Sequence, residues 1–250
     1  KSGGENMKIL SDFRAKNIVK YYWLCDEIFA NWIVQILKPY GKSILDIGCG
    51  NGFMLPYYLN NFDQVAGIEP TDSLYRQIYQ KYSSTNVMLK KAAAEQIPFC
   101  DKSFDISVAK SSLHHFNDME IGIVEMRRVS KKAIALIEVV SPDESCISFL
   151  KNILLKKEKG RELKSIFTKD LLCDLVKTQM PDAQVHTVFF DQYIDVQEWL
   201  LYSDLMKKEQ DELYNKILFS EDNIKNILQI HFRNDKLVML RRMCLCIALF

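Results

Sequence analysis

Residues 43–52, Ser-Ile-Leu-Asp-Ile-Gly-Cys-Gly-Asn-Gly, run a short β-branched stretch straight into three glycines at alternate positions. An acidic residue, Glu69, follows about twenty positions later, the interval at which a second strand returns to the same sheet edge. The pattern predicts a strand over Ile44–Ile47 that ends at Gly48. Gly48, Gly50 and Gly52 then turn the backbone tightly and leave bare main chain for a ligand at a helix N-terminus. A second strand over Gln64–Ile68 delivers Glu69, whose carboxylate can accept hydrogen bonds from both hydroxyls of a ribose. Together these residues describe a nucleoside-binding site. A dinucleotide fingerprint, G-x-G-x-x-G, carries its third glycine one residue further on, so a nicotinamide-linked oxidoreductase fits the strand and Glu69 but not the glycines.

Helical and β-branched segments alternate around this motif. Strands are expected over 43–47, 64–69, 86–89, 104–109 and 132–139, with helices over 52–60, 71–82 and 117–129. That order is the signature of an α/β fold with a doubly wound, mostly parallel sheet, which binds ligands outside the carboxyl ends of its strands. Before it, apolar residues from Asp12 to Leu37 recur at helical steps up to Pro39-Tyr40-Gly41. After Ser141-Pro142-Asp143 the chain turns helix-prone, and the lysine-rich stretch Leu150–Lys164 reads as a solvated helix face. A helix over 168–179, a strand over Ala183–Phe190, helical segments between Asp195 and Phe232, and a final strand Lys236–Leu249 complete the expectation.

The chain has 250 residues, is 48% hydrophobic and carries a formal net charge of +1, enough apolar material for one sizeable core and no strong field toward nucleic acid or an anionic membrane. Its seven cysteines are scattered without metal-site spacing and read as reduced thiols of a cytoplasmic protein, and no metal site is expected. No apolar run is long enough for a membrane span, and no signal-peptide pattern is seen. Residues 1–6 read as an appended remnant ahead of Met7.

Five segments in order, Leu45–Gly52, Gly67-Ile68-Glu69-Pro70, Ala94–Phe99, Ser103–Val108 and Leu113-His114-His115-Phe116, resemble the class I S-adenosylmethionine-dependent methyltransferases. Within them the chain is similar to the small-molecule subgroup that includes quinone C-methyltransferases, over roughly residues 44–140. The resemblance implies a Rossmann-like sheet of seven strands. It also implies an N-terminal helical lid (7–41), a cofactor-binding core (42–194 and 234–250) and a helical cap (195–233) inserted before the last strand. It implies S-adenosyl-L-methionine as cofactor, with S-adenosyl-L-homocysteine as product. Cofactor contacts then fall on Asp46, Gly48, Cys49, Gly50, Gly52, Glu69, Pro70, Ala94, Glu95 and Lys110, with Asp46 orienting the methionine ammonium.

Where the family places an Asp against the adenine amino group, this chain has Ala93, and Glu95 or a backbone carbonyl is left to substitute. Lys110, unusual after the fourth strand, could pair with the cofactor carboxylate, bind an acidic substrate group or reach solvent; a carboxylated cofactor and carboxymethyl transfer would also suit it. His115, with Lys110, is the candidate for catalysis, because imidazole titrates near neutral pH. Tyr21, Tyr22, His114, His115, Trp199 and Tyr202 are candidates for the acceptor pocket.

The expected activity is transfer of a methyl group to O, N or C of a small organic molecule. Ala109-Lys110-Ser111-Ser112 stands where amino-methyltransferases of DNA bases and glutamine carry an Asn-Pro-Pro-Tyr-like tetrapeptide, which disfavours DNA. No appended RNA-binding module is seen, so tRNA or protein methylation ranks below small molecules. A non-catalytic S-adenosylmethionine-binding subunit is the alternative from another class. The oligomeric state and the acceptor are not readable from the sequence.

Overall fold

The computed structural model describes residues 27–157, 166–201, 203 and 205–250. Eight strands form one sheet: β1 (Ser43–Ile47), β2 (Gln64–Ile68), β3 (Met88–Lys90), β4 (Phe104–Lys110), β5 (Ser130–Val140), β6 (Gln184–Asp195), β7 (His231–Arg233) and β8 (Lys236–Leu249). The order along the sheet is β3-β2-β1-β4-β5-β8-β6, with the three-residue β7 paired to β8 off this path. β1 to β5 pair in parallel, and β8 runs antiparallel between β5 and β6. The expected seven strands are the main path. The eighth, β7, forms a hairpin with β8 because Asn234 and Asp235 both adopt positive φ, the backbone of a tight two-residue turn.

Helices α1 (Glu27–Leu37), α2 (Leu55–Leu59) and α3 (Asp72–Tyr82) cover one face, and α4 (Met119–Val129) and α6 (Lys169–Gln179) the other. Side chains alternate accordingly. Ala133, Ala135 and Ile137 of β5, with Met243, Leu245 and Ile247 of β8, pack in the first layer, while Ile134, Leu136, Cys244, Cys246 and Ala248 pack in the second. Because both faces are covered, β1 is buried along its whole length, which is why it reads as an apolar run broken only by Asp46. Local capping sets two helix starts: Asp118 accepts from Ile121 N at 3.0 Å to open α4, and Thr168 accepts from Leu171 N at 3.1 Å to open α6.

Several expected boundaries shift. The helix expected over 52–60 is the five-residue α2, because the turn after the glycines runs on to Met54 and Pro56 supplies the first-turn proline. β6 extends five residues past Phe190, held by continuous pairing with β8 out to Asp195↔Val238. The stretch read as a solvated lysine face includes α5 (Ile147–Lys157), whose last residue, Lys157, is buried with its ammonium 5.1 Å from the Trp199 ring.

α5 joins α7 (Val196–Leu201), α8 (Lys207–Leu218) and α9 (Asp222–Ile227) around a third core of Ile153, Trp199, Leu200, Leu213, Ile217 and Leu228. This core rests on Ile194 of β6 and Leu237 and Met239 of β8. β5 ends at Val140 opposite Arg242, so residues 236–241 of β8 project past the end of β5. β6 runs parallel to β5 and carries its own end to Asp195. The helical layer therefore stands on the carboxyl edge of the parallel strands, the edge that carries the glycine loop. Of the expected N-terminal lid, residues 27–41 are seen, and the remainder, with Tyr21 and Tyr22, lies outside the described residues. Among the described residues no helix is long and apolar enough to cross a membrane.

Tyr58 of α2 is fully buried against Phe62, ring centroids 5.9 Å apart, and its hydroxyl has no hydrogen-bond partner among the described residues. A buried hydroxyl without a partner costs more than the methine that replaces it. Tyr58→Phe is expected to raise the unfolding free energy by about 1 kcal/mol in urea titration, and a loss of stability would mean that the hydroxyl is paired.

Candidate active site

The glycine loop is built on β2. Gly48 N and Cys49 N both donate to Ile68 O, at 2.9 and 3.0 Å, and Gly52 N donates to Cys49 O at 2.9 Å. All three glycines take positive φ. Gly50 (φ +58°) faces open space, where the nearest atom to an added Cβ is Gly48 O at 4.0 Å. At Gly52 (φ +74°) a Cβ would lie 2.7 Å from Tyr82 Cε2, while the Tyr82 hydroxyl donates to Gly52 O at 2.9 Å. The cradle is thus a loop of backbone. The ligand was expected at a helix N-terminus, but α2 starts only at Leu55 and is a single short turn and a half, so the exposed main chain belongs to the loop before it.

Glu69, 4% exposed, ties this loop to the next one: Oε2 accepts from Gly50 N at 2.9 Å and Oε1 from Thr71 N at 2.8 Å. Each carboxylate oxygen keeps a second acceptor position for a ligand hydroxyl. Asp46, 3% exposed, stands beside it, and burial pushes its carboxyl up to about 7, with Lys110 pulling it down and Glu69 pushing it further up. Cys49 is buried against Gly67, and its thiol is raised well above its usual value by burial and by the Asp46 and Glu69 charges; it acts as a packing residue. Lys110, at the end of β4, lies 5.8 Å from the ring centres of both Phe29 and Phe53. Pro70 is exposed at the end of the β2 loop.

The third loop, residues 92–101, is clamped to α4. Ile97 N donates to Glu125, and Arg128 donates to Ile97 O, Phe99 O, Asp101 and Glu125, all within 2.9 Å. These carboxylates hold the Arg128 guanidinium firmly protonated. Ala94 is buried, and Glu95 accepts from Asp118 N at 3.0 Å, so one oxygen of Glu95 is committed to the start of α4.

The fourth loop separates the two histidines. The carboxylate of Glu138, 2% exposed on β5, accepts from Leu113 N at 2.8 Å and meets His114 Nδ1 at 2.9 Å. His115, the candidate base in the sequence reading, is exposed, and it is His114 that the buried carboxylate orients. The two rings lie 4.0 Å apart, because Leu113–His115 is a 3-10 turn, in which neighbours are brought closer than on the alternating faces of a strand. Trp199 belongs to the core of the helical layer and not to an open pocket wall, and Tyr202 lies outside the described residues. The groove bounded by Gln197, Leu200, Lys207, Gln210, Asp211 and Tyr214, about 230 Å³, is on α7 and α8 and contains none of the glycine-loop residues. Among the described residues no cluster of His, Cys, Asp and Glu could hold a metal ion.

Glu138 was missed in the sequence although it left a signal. It is the one charged residue in the run Ala133-Ile134-Ala135-Leu136-Ile137-Glu138-Val139-Val140, and a charge on a strand covered on both faces requires a partner.

Three buried polar atoms lack partners among the described residues: Tyr58 Oη, Ser73 Oγ and Ser111 Oγ. Ser73 stands four residues after Glu69, and Ser111 follows Lys110 with φ +51°. Together with the open side of Gly50 and the buried carboxylates, these groups suit a polar ligand at the sheet edge.

Residues 45–137 match the family model described as a methyltransferase domain. The uncharacterised methyltransferase YcgJ of Bacillus subtilis is 28% identical over 116 residues, 44% of this chain and 46% of that protein. A demethylmenaquinone methyltransferase of Porphyromonas gingivalis is 23% identical over 125 residues, 47% and 51% of the two chains. A tRNA U34 carboxymethyltransferase of Nautilia profundicola is 30% identical over 97 residues, 36% and 32%. The chain thus spans about half or less of the length of these curated relatives. The crystal structure of YcgJ superposes with a TM-score of 0.75 at 16% identity, over 88% of this chain and 97% of that one, a likeness of fold. Residues 45–137 are therefore similar to a methyltransferase domain, and the chain shares the fold of YcgJ. The cofactor of such domains is S-adenosylmethionine.

Gly50→Ala is expected to fold, at a cost of about 1 kcal/mol for a left-handed non-glycine residue, yet to lose affinity for S-adenosylmethionine because its methyl group fills the cradle. Gly52→Ala, which adds a clash with Tyr82, is expected to cost about 2 kcal/mol or more; thermal unfolding and cofactor titration of the two variants separate a packing glycine from a binding one. Asp46 provides a pH test. Its folded pKa of about 7 lies above the ordinary 3.8, so the folded state binds the extra proton and loses stability as pH rises from about 4 to 7. Asp46→Asn is expected to abolish that part of the decline, up to about 4 kcal/mol, in urea unfolding of both proteins at pH 4 and pH 8.

Proposed function

We propose that this protein is an enzyme that transfers a methyl group from S-adenosylmethionine to a small organic acceptor. The observation that carries the reading is electrostatic: Asp46 and Glu69, both buried, stand beside a glycine cradle with Lys110 as the neighbouring cation. Asp46, raised to about 7 by burial, is stabilised as a carboxylate by a cation, so with Glu69 it favours a ligand that brings positive charge. S-adenosylmethionine, with a sulfonium, an ammonium and one carboxylate, has it, whereas the pyrophosphate of a dinucleotide would meet two like charges.

In this reading Gly50 leaves room for the ligand against main chain, Gly48 and Gly52 shape the turn that presents it, and Cys49 contributes its backbone. Glu69 takes the ribose hydroxyls on its remaining lone pairs, and Pro70 stiffens the loop behind it. Asp46 holds the methionine ammonium, and Lys110 faces the methionine carboxylate. The loop clamped by Arg128 presents Ala94, Ile97 and the second oxygen of Glu95 to the adenine. Bound there, the cofactor supplies an electrophilic methyl group on sulfur. The protein aligns the acceptor, excludes water and, where the acceptor carries a proton, removes it. The demethylmenaquinone methyltransferase among the relatives supports a small acceptor. A second reading, carboxymethyl transfer, draws on Lys110 and on the similarity to the tRNA U34 carboxymethyltransferase.

The test is calorimetric titration with S-adenosylmethionine, its carboxylated derivative, S-adenosylhomocysteine and NADH. Saturable binding of S-adenosylmethionine that weakens at least tenfold, about 1.4 kcal/mol, in Glu69→Ala is expected. A preference for the carboxylated ligand would replace the first reading by the second, and a preference for NADH would overturn both.

A further inference from the structure

We propose that His114 is the general base of the transfer and that the acceptor group is an acidic hydroxyl, a phenol or an enol. The inference rests on the reading of the site as one for S-adenosylmethionine.

The orientation of His114 fixes which nitrogen is available. Glu138 Oε2 lies 2.9 Å from Nδ1, and Oε1 is occupied by Leu113 N at 2.8 Å. A carboxylate only accepts, so Nδ1 carries the proton and the lone pair is left on Nε2. Glu138 itself is fixed in β5 and 2% exposed, while 31% of the His114 side chain remains accessible. A buried carboxylate behind a partly open imidazole both selects the tautomer and stabilises the imidazolium that proton transfer creates. Glu138 is thus a positioning residue.

The turn that carries His114 is joined to the cofactor loop. Ser112 Oγ donates to Ile47 O at 2.8 Å, and a Cβ at Gly48 would lie 2.8 Å from Ser112 Cβ. β4 lies between β1, which leads into the glycines, and β5, which holds Glu138. The imidazole therefore sits at the carboxyl edge beside the cradle, on the side away from Glu69, beneath the helical layer that stands on the same edge. His115, with its ring 4.0 Å away, adds an aromatic wall.

A base at this place discriminates among acceptors. Thioethers and arylamines, uncharged at neutral pH, present a lone pair without first losing a proton, so the held imidazole would be idle in the attack. A hydroxyl needs it. A phenol ionises near 10 and imidazole near 6.5, a gap of about 3.5 that a concerted transfer can bridge. An alkyl alcohol ionises close to water, near 15.7, and with a gap of about 9 an imidazole takes its proton only in concert with an advanced oxygen–carbon bond, so a phenol or enol is the better matched acceptor. In the step, the acceptor oxygen forms its bond to the methyl carbon, the carbon–sulfur bond breaks with its electron pair going to sulfur, and the hydroxyl proton passes to His114 Nε2. The imidazolium then returns that proton to solvent.

The experiment offers the protein S-adenosylmethionine labelled in the transferable methyl group, with a series of ring-substituted phenols, an alkyl alcohol and an arylamine. Label is expected in aryl methyl ethers ahead of the alkyl ether, and not in the amine. His114→Gln is expected to lower kcat at least about 100-fold while the affinity for S-adenosylmethionine stays within about twofold. In ¹⁵N NMR of the protein alone, His114 is expected to show a protonated Nδ1 and a bare Nε2, and Glu138→Gln to lose that preference. Label in the amine and not the phenols, no label in any acceptor while the cofactor binds, an undiminished kcat in His114→Gln, or a protonated Nε2 would each overturn the proposal. Failure to bind S-adenosylmethionine would instead overturn the reading of the site beneath it.

Discussion

The carboxylate of Glu69 is the point on which the site is assembled. Buried at the end of β2, it bonds to Gly50 N in one loop and Thr71 N in the next, so the cradle and the start of α3 hold a fixed relation before any ligand arrives. Such a group is stable only because its oxygens are satisfied by backbone donors, since a buried carboxylate without them would cost several kcal/mol. Beside it, burial raises the Asp46 carboxyl, Lys110 opposes the rise and the Glu69 charge adds to it. Preorganisation and charge selection thus come from the same pair of residues.

A second buried carboxylate repeats the device on the other side of β4. Glu138 secures the turn at Leu113 and orients His114, as Glu69 secures the glycine loop. The two acids sit at β2 and β5, on either side of β1 and β4, so that the carboxyl edge is divided into a half built around Glu69 and a half where His114 is held. The helical layer closes over this edge because β6 and β8 outrun β5, and it does so with a core of its own. Trp199 and Lys157 belong to that core.

Much of the fold was legible because the central strands are covered on both faces and must read as apolar runs between turn signals. β1, β2, β4 and the antiparallel β8 fall within a residue of their expected bounds for that reason. β6 was shortened in the sequence reading, since it is an edge strand whose second half, Asp191–Asp195, is polar and exposed enough to resemble a loop. Only its hydrogen bonds to β8 make it a strand. β7 was not seen at all, three residues being too few to show a period.

The sequence by itself determined the glycine cradle, Glu69 and the alternation that makes the sheet, because local turn chemistry and the period of burial are written in neighbouring residues. Tertiary structure alone decided that His114 meets the buried Glu138 carboxylate, that Lys157 is buried beside Trp199, and that Lys110 faces the buried Asp46. Each of these depends on a partner lying tens of residues away in the chain, and the energy of a buried charge is set by what surrounds it in space.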